Sequence, residues 1–374
     1  MERVKYTSLL ILFTVTFLWT AKSLLLHNFP DFTVYYSASK VFLQGGNPYL
    51  SQPQFFTTFT YPPFVLIFFI PLSLFPIFIA SKIWACMSIT SLLISLLLLY
   101  KILRIRFFSN KGMLFSFFVF SMFPVHYTLG MGQINLVILL FITLCLYFLN
   151  KHKLKLSGLF LGFSIAIKLF PILLPIIFIL QKRGKLIIIT TTTIISLYLL
   201  TYFIVGQKIN IYFFQELFPT TLHSWKGDYY NQALSGVVYR FVGDSTLREF
   251  FRTFLTFLIL LITITFVIIK RKYHFMVLTS LLITTNLLIN SFSWQHHFVW
   301  TIIPLLSTYV LITHHKLPSF SFYFLFFCYL LISINLKNPL HYPLLIQSHV
   351  FFGTFLLWCF IIYLLFKKYD YSTH

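Results

Sequence analysis

Apolar runs of roughly 18 or more residues, the length a helix needs to cross the hydrocarbon core of a bilayer, recur along the whole of this 374-residue chain. No soluble domain interrupts them. Such a chain is expected to be an all-α, polytopic integral membrane protein, a single domain over 1–374. Composition agrees: 59% of the residues are hydrophobic and 9% charged, against about a quarter charged in a soluble domain.

The net charge of +21 would suit nucleic acid if it were gathered on one basic face. Instead the 28 lysines and arginines stand in short clusters between apolar runs, so no nucleic-acid partner is implied. The clusters are Arg3 and Lys5; Lys101, Arg104, Arg106 and Lys111; Lys151, Lys153 and Lys155; Lys182, Arg183 and Lys185; Lys270, Arg271 and Lys272; Lys367 and Lys368. If each is cytoplasmic, as the positive-inside rule asks, the chain makes about ten crossings of a cell membrane with both termini cytoplasmic. The spans fall near 6–26, 76–100, 112–128, 133–149, 186–205, 251–269, 275–289, 297–313, 319–334 and 350–366. Two stretches do not fit as simple crossings, because counting them would put Arg104 or Arg183 outside. They are YPPFVLIFFIPLSLF (61–75) and LSGLFLGFSIAIKLFPILLPIIFIL (156–180). Both carry prolines and Lys168 interrupts the second, so they read as re-entrant or interfacial helices, tolerated where protein or a wet cavity covers the backbone.

The first run has the basic start and apolar middle of a secretory signal but lacks a small-x-small cleavage site. TAKS at 20–23 puts a lysine where cleavage wants a small residue, so the run reads as an uncleaved first span. Cys86, Cys145, Cys328 and Cys359 stand singly in apolar runs and read as packing residues.

With this topology the outer side receives the loops at 27–61, 206–250, 290–297 and 335–349. Glu2 and Asp370 lie at the cytoplasmic ends, whereas Asp31, Glu216, Asp228, Asp244 and Glu249 fall outside. Three polar clusters join Asp31 there: GQINL (132–136) with Gln133 and Asn135, NQALSGVVYR (231–240) with Asn231, Gln232 and Arg240, and SWQHH (293–297) with Trp294, His296 and His297. Convergence of such groups on one side of a membrane protein points to a wet site. Adjacent histidines cannot face one way on a helix, His-x-x-x-His and Asp-x-Asp are absent, and neither a metal nor a cofactor is implied. Phosphate chemistry here would fall to Arg, Lys and His.

The ordered set of Asp31 after the first span, Gly46-Asn47-Pro48-Tyr49, Tyr61-Pro62-Pro63, Gly132-Gln133-x-Asn135, the Gly158 to Pro171 block with Lys168, Asn231-Gln232 with Arg240, and Ser293-Trp294 with His297 resembles glycosyltransferase family 87, membrane enzymes of the GT-C type. The resemblance covers roughly 25–310, leaving the final spans (319–366) as the variable part. It implies a polyprenyl-phosphate-sugar donor, commonly mannose, and transfer with inversion on the extracytoplasmic face to a lipid or glycan acceptor. In that family the aspartate after the first span is the general base, a position held here by Asp31.

The residues suit that chemistry. Inverting transfer needs one base on the acceptor hydroxyl, opposite a departing lipid phosphate, so one carboxylate suffices. Asp31, beside an aromatic-walled membrane lip, is expected to have a pKa above the usual carboxylate value of about 3.9. Charge on the leaving phosphate calls for preorganised cations: Arg240 first for its fork, His297 second, then Lys168, with Lys40 and Lys226 behind. For Lys168 the bland alternative is a snorkelling side chain. Tyr35, Gln133, Asn135, Asn231, Gln232, Trp294 and His296 are expected to bind substrate, with Tyr35, Tyr36 and Trp294 as stacking faces and Asp228 as the rival base. A lipid-linked-sugar transporter or flippase would be expected to show internal repeats and a midplane site, and neither is seen. An oligosaccharide ligase or polymerase with a pyrophosphate donor would place more arginines outside than Arg240, Arg248 and Arg252.

The topology predicts that an Asp228→Cys variant reacts with a membrane-impermeant thiol reagent added to intact cells. Labelling that requires lysis inverts the assignment.

Overall fold

The computed structural model describes residues 2–26, 28–50, 56–223 and 227–371; Lys226 lies outside them. The structure is 78% helix, with no strand among the described residues. Six helices are long and apolar enough to cross a membrane: one near the N-terminus within Tyr6–Leu43, then Ile77–Ile102, Gly184–Val205, Ser245–Ile269, Gln295–His314 and His349–Phe366. Asn110–Ser121 and Phe123–Met131, bent by 53° at their junction, make a seventh if taken together. Pro124 sits at that bend, where its missing N–H interrupts the helical ladder. The expected spans at 133–149, 275–289 and 319–334 coincide with helices Asn135–Asn150, Phe275–Ile289 and Ser319–Ser333 of 16, 15 and 15 residues. At 1.5 Å per residue these fall short of the roughly 20 residues that span a bilayer without tilt or thinning.

Neither proline-bearing stretch is one continuous helix. The first holds only Phe64–Ser73. The second breaks at Lys168, whose backbone is extended (φ −153°, ψ 124°), before a 3₁₀ turn at Phe170–Leu173 and a helix at Pro175–Leu180. Pro171 and Pro175 withhold the N–H groups that would carry the helix on.

The helices group into two compact units, one of Met1–Phe120, Val125–Pro171 and Lys185–Ser224, the other of Ser121–Pro124, Ile172–Gly184 and Trp225–His374. In the first unit, α1 (Glu2–Ala21) exposes its apolar side chains, among them Ile11, Val15, Leu18 and Trp19. After a 3₁₀ turn at Lys22–Leu25, α2 (Pro30–Leu43) begins on a proline, which suits a first helical position. Unlike α1, it is buried through Phe32, Val34, Tyr35, Ala38 and Val41. We therefore place the membrane-spanning segment in α1 and read α2 as a protein-covered helix beyond it.

The turn between them is pinned by Lys82, near the start of α4 (Ile77–Ile102), which lies after α3 (Phe64–Ser73). Its ammonium donates to the carbonyls of Leu24, at 2.6 Å, and of Leu26, orphan acceptors at the end of a helical turn. Trp84, two residues on, stacks with Phe32 (6.1 Å, 18°), and its indole N–H donates to the carbonyl of Gly132 at 2.7 Å. Gly132 has φ +71°, and a Cβ there would lie 2.7 Å from the Cβ of Phe32 and 3.0 Å from that of Phe29. Only glycine lets the chain turn this close to the start of α2.

Gly132→Ala should therefore cost about 1–3 kcal/mol through its left-handed backbone alone, plus the push on Phe32. A lowered thermal unfolding midpoint checks this, against Gly130→Ala, whose added methyl meets nothing within 4 Å inside a helix and should hold or slightly raise the midpoint.

Candidate functional site

Asp31 lies in the first turn of α2, where unsatisfied amides favour a negative charge. It is 8% exposed, and its Oδ2 accepts a 2.5 Å hydrogen bond from Nε2 of Gln133. The other end of that amide, Oε1, accepts from the phenols of Tyr35 (3.0 Å) and Tyr61 (2.9 Å). The carboxylate, which can only accept, fixes which end of Gln133 is the NH₂ and leaves Oε1 to the two phenols. Tyr49 braces the arrangement by donating to the carbonyl of Tyr61 at 3.0 Å.

Lys168, in the extended break after the helix Leu154–Ile167, closes the cluster. Its ammonium donates at longer range to the Tyr61 hydroxyl (3.4 Å) and to Oδ1 of Asn135 (3.3 Å), and lies 5.2 Å from the centre of the Tyr61 ring. The snorkelling alternative is set aside, because the ammonium turns toward Tyr61 and Asn135. Gln133 and Asn135, expected from the sequence to bind substrate, thus bond to Asp31 and Lys168 respectively. Tyr35 is placed here too, but not as a stacking face: it is 1% exposed, enclosed by Phe59, Tyr61 and Phe69. Tyr36 is likewise buried and donates to the carbonyl of Phe75. Lys40 is exposed over the Tyr36 ring, about 13 Å along the helix from Asp31.

The second unit gathers the remaining candidates around two facing turns. Asn231 and Trp294 form an isolated antiparallel bridge, and Oδ1 of Asn231 accepts from the backbone N–H of Ser293 (3.0 Å) and Ala233 (3.1 Å). Its amide nitrogen donates to Ser235 and to the carbonyl of Ser291. Gln232 donates to the carbonyls of Tyr229 (2.7 Å) and Gln347 (2.8 Å) and is fully buried. Both amides are occupied in holding backbone.

Arg240 is largely occupied as well. Nη1 donates to the carbonyls of Asp228 (3.1 Å) and Asn231 (2.9 Å), while Nε and Nη2 both donate to Oγ of Ser348 (3.2 and 3.0 Å). Four of the five guanidinium hydrogens are thereby used. His297 is buried, stacks on Trp300 (5.4 Å, 10°), and accepts the Trp294 N–H on Nδ1 at 3.2 Å. His296 turns instead onto Trp294 (6.3 Å, 3°). Asp228 closes an Asx turn, its Oδ1 taking the N–H of Tyr230 at 2.8 Å.

The chain matches the model of Glycosyltransferase family 87 over residues 59–291. It belongs to that family. Over 261 residues it is 26% identical to the "Polyprenol-phosphate-mannose-dependent alpha-(1-2)-phosphatidylinositol pentamannoside mannosyltransferase" of Mycolicibacterium smegmatis, covering 68% of this chain and 61% of the relative. Over 296 residues it is 25% identical to the protein of the same description from Mycobacterium tuberculosis, covering 75% and 65%. The chain thus spans less than two thirds of the length of these relatives. The family match takes in Gln133, Asn135, Lys168, Asn231, Gln232 and Arg240, whereas Asp31 precedes it and Trp294, His296 and His297 follow it.

In this family 87 chain the first cluster pairs a buried carboxyl with a buried ammonium. Burial pushes the Asp31 carboxyl up to about 6, partly offset by the Gln133 hydrogen bond and the charge of Lys168. Burial likewise pushes the Lys168 ammonium down to about 7, offset by the Asp31 charge. Burial thus raises the acid and lowers the base of this pair, moving both toward the range in which a general base is effective. The sequence reading placed Tyr61 in a motif but not in the site. Its signal was the Tyr-Pro-Pro run, which sets a tyrosine just ahead of a proline-started helix.

Removing the Gln133 hydrogen bond should favour the neutral acid. The infrared band of protonated Asp31, identified by its loss in Asp31→Asn, should grow as pH falls through about 6. Its midpoint should move upward in both Gln133→Leu and Lys168→Met.

Proposed function

We propose that the chain transfers a hexose, mannose in the first instance, from a polyprenyl-phosphate-sugar donor to a hydroxyl of a lipid or glycan acceptor, with inversion. The observation carrying this is the buried Asp31 carboxylate tied through Gln133 to two phenols and, beyond Tyr61, to Lys168, in a family 87 chain whose relatives are described as polyprenol-phosphate-mannose-dependent mannosyltransferases.

Asp31 takes the proton of the acceptor hydroxyl as that oxygen attacks the anomeric carbon. The bond from that carbon to the phosphate oxygen breaks, and polyprenyl phosphate leaves. One displacement inverts the centre, and one carboxylate serves it. Lys168 is the first choice to meet the developing phosphate charge, ahead of Arg240 and His297, because the Arg240 fork is mostly committed to Ser348 and backbone carbonyls. Gln133 and Tyr35 hold the base, and Asn135 holds Lys168.

The topology completing this reading has about ten crossings, both termini cytoplasmic, and Asp31 at the extracytoplasmic lip, where lipid-linked sugars are used. The three shorter helices and the bent pair supply the crossings beyond the six long ones. The stretches 61–75 and 156–180 remain re-entrant or interfacial.

The test is transfer of label from radiolabelled polyprenyl-phosphate-mannose to endogenous lipids or glycans, in membranes holding the wild type or Asp31→Asn. Label should move with the wild type and be lost by about 10²-fold or more in the variant. Near-normal transfer by Asp31→Asn removes it as the base. If wild-type membranes move no label from mannose, glucose, galactose or pentose carriers, the transferase reading is wrong.

A further inference from the structure

In the first unit one phenol hydrogen has two acceptors at the same distance. Tyr35 is set to donate to Oε1 of Gln133 and to the hydroxyl of Tyr61, both at 3.0 Å, yet a phenol carries a single hydrogen. Tyr61 in turn stands between the cluster's two charged groups. Its hydroxyl donates to Oε1 of Gln133 at 2.9 Å and accepts from the Lys168 ammonium at 3.4 Å. An ammonium can only donate, so while Lys168 sits on Tyr61 the Tyr61 hydrogen points at Gln133. The Tyr35 hydrogen then joins it on Oε1, and two donors polarise the amide whose Nε2 holds Asp31.

The contacts of Lys168 with Tyr61 and with Oδ1 of Asn135 are 3.4 and 3.3 Å, longer than the roughly 2.7–2.9 Å of a well-made charge-assisted bond. A phosphate that draws the ammonium off Tyr61 leaves Tyr35 as that hydroxyl's one donor among the described residues. The Tyr35 hydrogen turns to it, Oε1 keeps one donor where it had two, and Gln133 grips the carboxylate less. Of the other ionisable groups nearby, Lys82 of α4 is turned to the carbonyls of Leu24 and Leu26.

We infer that Tyr61 is a positioning residue that passes the engagement of Lys168 to the base, with the Tyr35 hydrogen as the moving part. A weaker hydrogen bond to the charged form raises the carboxyl's pKa, so Asp31 becomes the stronger base once a phosphate is in place. That the phosphate is the sugar donor's rests on the transfer reaction proposed above. The link itself lies within the first unit.

The experiment is a double-mutant cycle read from the infrared titration of the Asp31 carboxyl in the full chain. Lys168→Met is introduced into the wild type, Tyr61→Phe and Tyr35→Phe, the phenylalanines keeping the rings and removing one hydroxyl each. Loss of the ammonium raises the midpoint in all three through its charge alone. In the wild type the loosened amide adds to that rise, which should exceed the rise in either phenylalanine background by roughly 0.4 pH unit or more, the low end of coupling within one network. Equal rises in all three backgrounds overturn the link. A rise in Tyr35→Phe as large as in the wild type overturns the moving hydrogen. A short-chain polyprenyl phosphate should raise the wild-type midpoint, and inorganic phosphate at the same concentration should not. A midpoint moved by neither removes phosphate as the trigger, and one moved equally by both removes its lipid source. The cycle needs no turnover, so a non-additive cycle in a chain that transfers no label leaves the link standing while the transferase reading falls.

Discussion

The first unit depends on one side-chain amide. A carboxylate taken out of water is stable only if something polar faces it, and Asp31 is 8% exposed in a chain that is 9% charged. Gln133 meets that need with one end and uses the other to collect the hydroxyls of Tyr35 and Tyr61. An aliphatic residue there would strand the carboxylate and leave the two phenols only each other and Lys168. A carboxylate would place a second negative charge against the first. The amide alone is neutral, double-ended and short enough to sit between them.

What delivers the amide is a set of contacts with no chemistry of their own. Gly132 lets the chain approach Phe29 and Phe32 at the head of α2, Trp84 holds the Gly132 carbonyl, and Lys82 ties down the carbonyls of Leu24 and Leu26 before α2 starts. The helix break at Lys168 serves the same end. A lysine within an unbroken spanning helix would face lipid or reach for the interface. At an extended residue between Ile167 and Phe170 its side chain leaves the helical ladder and reaches Asn135 and Tyr61. The prolines that follow keep the break open.

Much of this was legible in the sequence. Hydropathy length gave the helical membrane architecture, because in hydrocarbon a backbone has few ways to satisfy itself, and each expected span holds a helix. The sequence joined Asp31 to three polar clusters alike, and only the fold shows that Gln133, Asn135 and Lys168 are the residues around it. The precise use of each group was not legible either. Tyr35 and Tyr61 belong to a chain with 22 tyrosines, and nothing local distinguishes those that donate to a buried amide from those that face lipid. Arg240 looked like an open fork because its acceptors are backbone carbonyls and Ser348, more than a hundred residues away. Such partners leave no trace in residue type or spacing.

The two polar clusters show why residue type overstates what a group can do. Asn231 and Gln232 send nearly all their hydrogen bonds to backbone, and a side chain so engaged can release it only by unfolding the turn it holds. Gln133 and Lys168 bond to other side chains, whose rotation or titration exchanges one partner for another without moving backbone. The same amide is therefore scaffold in one unit and part of an adjustable network in the other, and the difference lies in where its bonds end. By that criterion Asp31, Gln133, Tyr61 and Lys168 form the cluster whose bonds can rearrange. The turns of 228–231 and 293–297 are held by bonds to backbone and stay fixed.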